Sequence, residues 1–295
     1  MYSQIASNKR KSILLVTAFV ILISVLGYSY SLATNQPGIF LGVSIFALVY
    51  ALISYRFSAS IALAIAGARP VAKKDAPELY RLVENLSITA GLPMPKVYII
   101  DDPSPNAFAT GRNPKNAVVA VTSGLLQLLD KEELEGVLAH EMSHVGNYDI
   151  RFMAIVMVLV TVISLVSNFF LHMSWGGGGR REGGNPILAI VAIVASLLAP
   201  LIAGLLQLAV SRKREYLADA SGALLTRYPE GLARALEKIS AASEQQPLAH
   251  ASTANAHMYF SNPLPSVGSF MASLFSTHPP AAERIKRLRE MGDKV

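Results

Sequence analysis

Long stretches of this chain carry no charged side chain at all. Residues 12–55, 152–179 and 183–211 contain no Asp, Glu, Lys or Arg. About 20 consecutive apolar residues cross the hydrocarbon core of a bilayer, so each stretch is long enough for one span or two. The first divides into Ile13–Leu32 and Ile39–Phe57, split by the turn signal Thr34-Asn35-Gln36-Pro37-Gly38. Phe152–Met173 forms a third span and Pro186–Val210 a fourth, with Pro200 and Gly204 as kink points. Lys9-Arg10-Lys11 before an apolar run resembles the start of a signal peptide. No clear small-x-small cleavage site follows, and the second span comes at once, so the first reads as an uncleaved anchor.

The remaining charge sets an orientation. Lys9, Arg10, Lys11, Arg56, Arg69, Lys73, Lys74, Arg151, Arg212, Lys213 and Arg214 flank span ends on one side, against Arg180 and Arg181 on the other. Lys and Arg favour the cytoplasmic side, which places both termini and the segments 57–151 and 211–295 in the cytoplasm. The net charge of +6 is mostly this topology signal. No base-stacking motif accompanies the basic residues, so nucleic acid is not an expected partner. The chain has no cysteine, which excludes disulfides and thiolate-held metal.

Globular character returns between the second and third spans. Asp75 and Glu78 have the spacing of a capping box, and Leu79, Leu82, Val83 and Leu86 supply an apolar stripe that ends at Gly91 and Pro93. Val97–Ile100, Asn106–Thr110 and Ala117–Thr122 read as short strands of a small antiparallel sheet, with Asn106–Thr110 at its edge. Asp130 and Glu133 form a second capping box, opening a helix from Lys131 to about Asn147. After the fourth span come helices at Arg212–Leu225, Pro229–Ser243 and about Pro279–Met291. Residues 244–274 have loop-like composition, compatible with a lid.

The helix opened by Asp130 carries His140-Glu141-Met142-Ser143-His144. Two histidines four apart share one helix face and can grip one Zn²⁺, with Glu141 aimed at the metal's open position as general base. A catalytic zinc needs a third protein donor. His172 sits at the far end of the third span and is out of reach, and His250 and His257 read as solvated loop histidines. Glu215 lies about five residues beyond the fourth span, as His144 lies about seven before the third, so a transmembrane hairpin would bring the two to similar heights. Asp219, one turn further on the same face, can take the outer N–H of a metal-bound imidazole.

Four motifs then recur in a familiar order: Asn106-Ala-Phe-Ala-Thr-Gly111, His140–His144, Arg214-Glu-Tyr-Leu-Ala-Asp219, and Phe275-Ser-Thr-His-Pro-Pro280 followed by Glu283-Arg284-Ile285. Together with the four-span layout they resemble the HtpX family of bacterial inner-membrane zinc metalloproteases, related to the CAAX prenyl endoproteases. The resemblance implies a gluzincin-type endopeptidase with a role in membrane-protein quality control under stress. It also implies a substrate-side role for Asn106, where an extended peptide could add to the edge strand. It places His278 near the active site as an oxyanion stabiliser.

The expectation is therefore a mainly α membrane protein: four transmembrane helices plus a cytoplasmic, gluzincin-like α+β protease domain. Residues 1–57 form the first hairpin, 58–151 the first part of the protease domain, 152–210 the second hairpin and 211–295 the second part. The site holds one Zn²⁺ on His140, His144 and Glu215, with Glu141 as base and Asp219 behind the ligands. Substrates are membrane proteins reached from the bilayer surface. The alternatives are a non-enzymatic scaffold with a structural zinc, or a prenyl-protein-type protease, although the CAAX enzymes are built around more spans.

Overall fold

The computed structural model describes residues 2–176, 204, 211–243, 248–249, 251, 255–263 and 279–292. Two long helices come first, α1 (Tyr2–Thr34) and α2 (Gly38–Ile65), broken where Asn35 adopts a φ of 55° inside the expected turn signal. Ile13, Leu14, Ile21 and Val25 on α1, and Leu41, Phe46 and Leu52 on α2, are all more than half exposed. Large apolar side chains clustered on open helix faces call for a nonaqueous partner. Among the described residues, one helix, Phe40–Ile65, is long and apolar enough to cross a membrane. The third expected span falls within α6 (Asp149–Gly176), while the fourth, 186–210, lies outside the described residues. The set of four is thus not established. α2 also continues past residue 57, and Ala62, Leu63 and Ala66 at its end are buried against protein.

A sheet follows, of strands β1 (Ala68–Pro70), β2 (Lys96–Ile100), β3 (Ala107–Gly111) and β4 (Ala117–Thr122), in the order β1-β2-β4-β3. It is mixed, not antiparallel as expected: β2 pairs parallel with β4, and only the β1–β2 and β3–β4 pairs are antiparallel. The reason is strand order. β3 and β4 form a hairpin, but β2 pairs with β4, the second strand of that hairpin, leaving β3 on the edge as expected. Gly111, at a φ of 146°, begins the connection; a Cβ there would lie 2.5 Å from the Asn116 carbonyl oxygen.

The sheet separates two apolar clusters by simple alternation. On β4, Val118 and Ala120 join the cluster containing the inner faces of α1, α2 and α6, while Ala117, Val119 and Val121 join that of α3 (Pro77–Ala90) and α5 (Lys131–Gly146). Burial on both faces accounts for the continuous apolar run of this strand. Each fully buried valine or leucine contributes about 1.5–3 kcal/mol. The first turns of α6, from Phe152 to Val160, are buried throughout, so Met153 and Met157 are packing residues.

Capping divides the expected helix starts. The Asp130–Glu133 box forms with both reciprocal bonds at 3.0 Å and opens α5 at Lys131. The Asp75–Glu78 box does not form. Pro77 occupies the first turn of α3, where its fixed φ and missing N–H suit a helix start without a side-chain cap. The Asp75 N–H instead closes a turn onto the Ala72 carbonyl at 2.9 Å. The stripe Leu79, Leu82, Val83 and Leu86 is buried, and α3 ends at Gly91 with a φ of 64°. The short α4 (Ser123–Leu128) leads into α5, and α7 (Arg212–Thr226), α8 (Pro229–Ser243) and α9 (Ala281–Gly292) complete the described helices.

Candidate metal centre

α5 presents His140 and His144 one turn apart, and α7 lies across it. Gly222 permits the close approach: a Cβ there would come within 3.0 Å of the His140 backbone nitrogen. The crossing brings Glu215 to the histidines. Its carboxylate oxygens lie 3.7 Å from His140 Nε2 and 3.7 Å from His144 Nε2, and the two Nε2 atoms are 3.1 Å apart. All three donors fall within 4.8 Å of one another and are buried. Donors held at 2.0–2.1 Å in a tetrahedral zinc site are separated by roughly 3.3 Å, so the described residues fit such an ion with little movement. The sequence expectation for Glu215 rested on a hairpin whose return leg lies outside the described residues; Glu215 itself stands beside both histidines.

Each imidazole is tied from behind. His140 Nδ1 donates to Asp219 Oδ1 at 2.9 Å, and His144 Nδ1 donates to Asp149 Oδ2 at 3.0 Å. A carboxylate on Nδ1 fixes the tautomer and leaves Nε2 for the metal. Asp219 thus serves His140, an assignment its place one turn after Glu215 had left open between the two imidazoles. Asp149 is a second orienting carboxylate that sequence reasoning missed. It sits at the start of α6, where an acidic residue reads as a partner of the helix dipole.

Arg284 was also missed as a functional residue, although the motif containing it was noted. Only 2% exposed, it grips Asp219 with both arms of its guanidinium, at 2.9 Å from Nε and 2.7 Å from Nη2. Nη2 also lies 3.4 Å from His140 Nδ1, longer than the 2.9 Å to the carboxylate, so the Nδ1 proton faces Asp219. The Arg284 guanidinium lies 5.0 Å from the Phe260 ring centroid, and that ring meets the His140 imidazole edge-on at 5.1 Å.

The electrostatics divide the two histidines. Burial pushes His140 below its ordinary value, and Asp219 opposes this only in part. Burial works against charge on His144 as well, but its hydrogen bond to Asp149 and the negative Glu215 hold it at about 9. The metal-free centre therefore keeps a proton on His144, which a metal must displace. Burial raises Asp219, yet the Arg284 charge and the bonds from His140 and Arg284 hold it at about 2.

Glu141, 2% exposed, points at the edge strand, its Oε2 accepting the Ala109 N–H at 2.7 Å. Asn106 is fully buried beside it and has partners within the chain. Its Nδ2 donates to the Ser261 carbonyl at 3.0 Å, and its Oδ1 accepts the Ser261 N–H at 3.1 Å. The Phe260 N–H donates to the Ala107 carbonyl at 2.8 Å, so the segment at 260–261 already pairs with this edge. His278 and His250 lie outside the described residues. His257 is not solvated: it is 3% exposed and its Nε2 donates to the Met153 carbonyl at 3.0 Å. His172 stands near the far end of α6, roughly 35 Å from Asp149 along the helix.

Comparison with known proteins agrees with this centre. Residues 73–292 match peptidase family M48. The chain is 51% identical over 300 residues to a protease HtpX homolog of Tropheryma whipplei, covering 100% of this chain and 99% of the relative. It is 47% identical over 302 residues to a protease HtpX homolog of Streptococcus uberis, covering 99% of this chain and 100% of the relative. In fold it resembles the crystal structure of S. mikatae Ste24p, with a TM-score of 0.53 at 22% identity over 98% of this chain and 67% of that one. The chain belongs to peptidase family M48, as a metalloprotease of the HtpX type.

Proposed function

We propose that this chain is a zinc-dependent endopeptidase of the bacterial inner membrane that cuts misfolded or damaged membrane proteins on the cytoplasmic side. The observation carrying the reading is the convergence of His140 Nε2, His144 Nε2 and Glu215, each imidazole backed by its own carboxylate, with Glu141 one residue from the first ligand. Among the described residues the cluster offers three protein donors, which leaves a coordination position for substrate chemistry instead of closing the sphere. The two-histidine, one-carboxylate donor set suits zinc. Bound there, zinc would supply a Lewis acid for the scissile carbonyl and acidify a water at its open position.

The protein's own residues then divide the work. Glu141 takes the proton of the attacking water and delivers it to the leaving amine. Its anchor on the Ala109 N–H holds the carboxylate beside the outer edge of β3. A substrate backbone would run along that edge, exchanging with the segment at 260–261 and using the Asn106 amide as its partner. Asp219 and Asp149 keep both imidazoles in register. His278 remains a proposed oxyanion stabiliser. The membrane location is supported by the apolar α2, the exposed apolar faces of α1 and α2, and the charge-free stretches of the sequence. The reading of four spans is supported by the charge-free stretches, and that of a cytoplasmic centre by the distribution of Lys and Arg.

The test is Glu141→Gln in full-length protein, assayed on a membrane protein with a destabilised cytoplasmic loop. The variant should retain one zinc per chain and lose cleavage by a factor of about 10² or more. Full activity would sink the mechanism. Wild-type protein that binds zinc yet cleaves nothing would favour the structural-zinc scaffold.

A further inference from the structure

The Asp149 carboxylate that orients His144 has a second partner, and it comes from the other end of the chain. Asp149 Oδ1 accepts from Asn8 Nδ2 at 2.7 Å, and the same amide donates to the Asn147 carbonyl at 3.1 Å. Both amide protons of Asn8 are thereby used, and both acceptors are oxygens, so the amide has one sensible orientation. Asn8 is 1% exposed, although it lies in a run of polar and basic residues at the start of α1. The next residue, Lys9, places its ammonium 4.6 Å from the Tyr148 ring centroid. The start of α1 thus grips Asn147–Asp149, the junction joining the metal-binding helix to α6, where Tyr148 takes a φ of 60°.

We propose that Asn8 is a positioning residue of the metal centre: it fixes Asp149, Asp149 fixes His144, and the first helix thereby becomes part of the scaffold that shapes the metal site. The proposal rests on reading His140, His144 and Glu215 as the metal ligands. Asp149 has two oxygens and several neighbours. Arg214 Nε lies 3.9 Å from Oδ1, farther than the Asn8 amide. With Asn8 holding Oδ1, Oδ2 stays on His144 Nδ1. Without it, the carboxylate can swing toward Arg214 and release the imidazole.

The test uses the full-length protein in detergent, with zinc affinity from chelator competition and the visible spectrum of the cobalt-loaded form. Removing an outer partner of a metal ligand costs 10–100-fold in affinity, so Asn8→Ala, one step further out, should weaken zinc by about tenfold and shift the cobalt bands. Asn8→Asp keeps the shape but turns an acceptor toward Asp149, and should weaken zinc further. Because Asn8 acts through Asp149, adding Asn8→Ala to Asp149→Ala should change affinity no more than twofold. Lys9→Ala, which removes the contact with the Tyr148 ring and leaves the Asn8 bonds to Asp149 and Asn147 in place, should leave affinity unchanged. If Asn8→Ala does not fold, Asn8→Ser, a shorter donor, carries the same comparison. A lowered melting temperature with an unchanged cobalt spectrum and unchanged zinc affinity would overturn the proposal, as would full additivity with Asp149→Ala. Zinc binding that survives His144→Ala would overturn the metal-site reading and this proposal with it. A His144-dependent site indifferent to Asn8 would overturn this proposal alone.

Discussion

Arg284→Met should loosen the metal centre without touching a metal donor. Arg284 and Asp219 are 2% and 4% exposed, and two charge-assisted hydrogen bonds of 2.9 and 2.7 Å join them. Asp219 is held at about 2, against 3.8 for a free aspartate. A carboxylate whose folded value is depressed adds stability that is present above about pH 4 and is lost as pH falls toward 2. The shift corresponds to about 2 kcal/mol. Truncating the cation should cost more, about 3–5 kcal/mol, because it strands a buried carboxylate. With Arg284 gone, only His140 opposes the effect of burial on Asp219, and the carboxylate loses the guanidinium that fixes it behind the His140 N–H. Zinc affinity should fall about 10–100-fold. The assays are denaturant unfolding of the metal-free protein at pH 7 and chelator competition for zinc. Stability within 1 kcal/mol of wild type together with zinc affinity within twofold would refute the reasoning.

Two further outcomes follow from particular contacts. Asn106→Ala removes both bonds to Ser261 and should raise KM for a peptide substrate while leaving zinc affinity unchanged; lowered stability with unaltered KM would reduce Asn106 to a tether for the 260–261 segment. Asp130→Ala removes the cap of the helix that carries the histidines and should cost about 1 kcal/mol in unfolding measurements, with the zinc stoichiometry intact.

Local signals in this chain were legible, and distant partnerships were not. The Asp130–Glu133 box and the Leu79–Leu86 stripe are written within a few residues, and both appear as read. Glu215 was reachable because the charge-free stretches between it and His144 suggested a hairpin that would bring the two together. Asp149 is close to His144 in sequence, but the chain leaves the helix between them through Tyr148, so helix spacing says nothing about their contact. Arg284 meets Asp219 65 residues away, and Asn8 meets Asp149 141 residues away, contacts that only tertiary packing creates. The parallel pairing of β2 with β4 has the same origin: strand content reveals strands, not which strands become neighbours. The failed Asp75–Glu78 box shows Pro77 setting the helix start in place of side-chain capping. His257 illustrates a polar residue whose burial loop-like composition does not reveal: its ring meets the Met153 carbonyl, 104 residues away.

X-ray absorption at the zinc edge of the full-length protein tests the central claim most directly. The expected first shell has two imidazole nitrogens and one carboxylate, all lost in a His140→Ala/His144→Ala/Glu215→Ala variant, plus one oxygen that no protein side chain supplies. Zinc–nitrogen and zinc–oxygen distances should fall near 2.0–2.2 Å. A shell closed by a fourth protein donor, or one unchanged when Glu215 is replaced, would contradict the account.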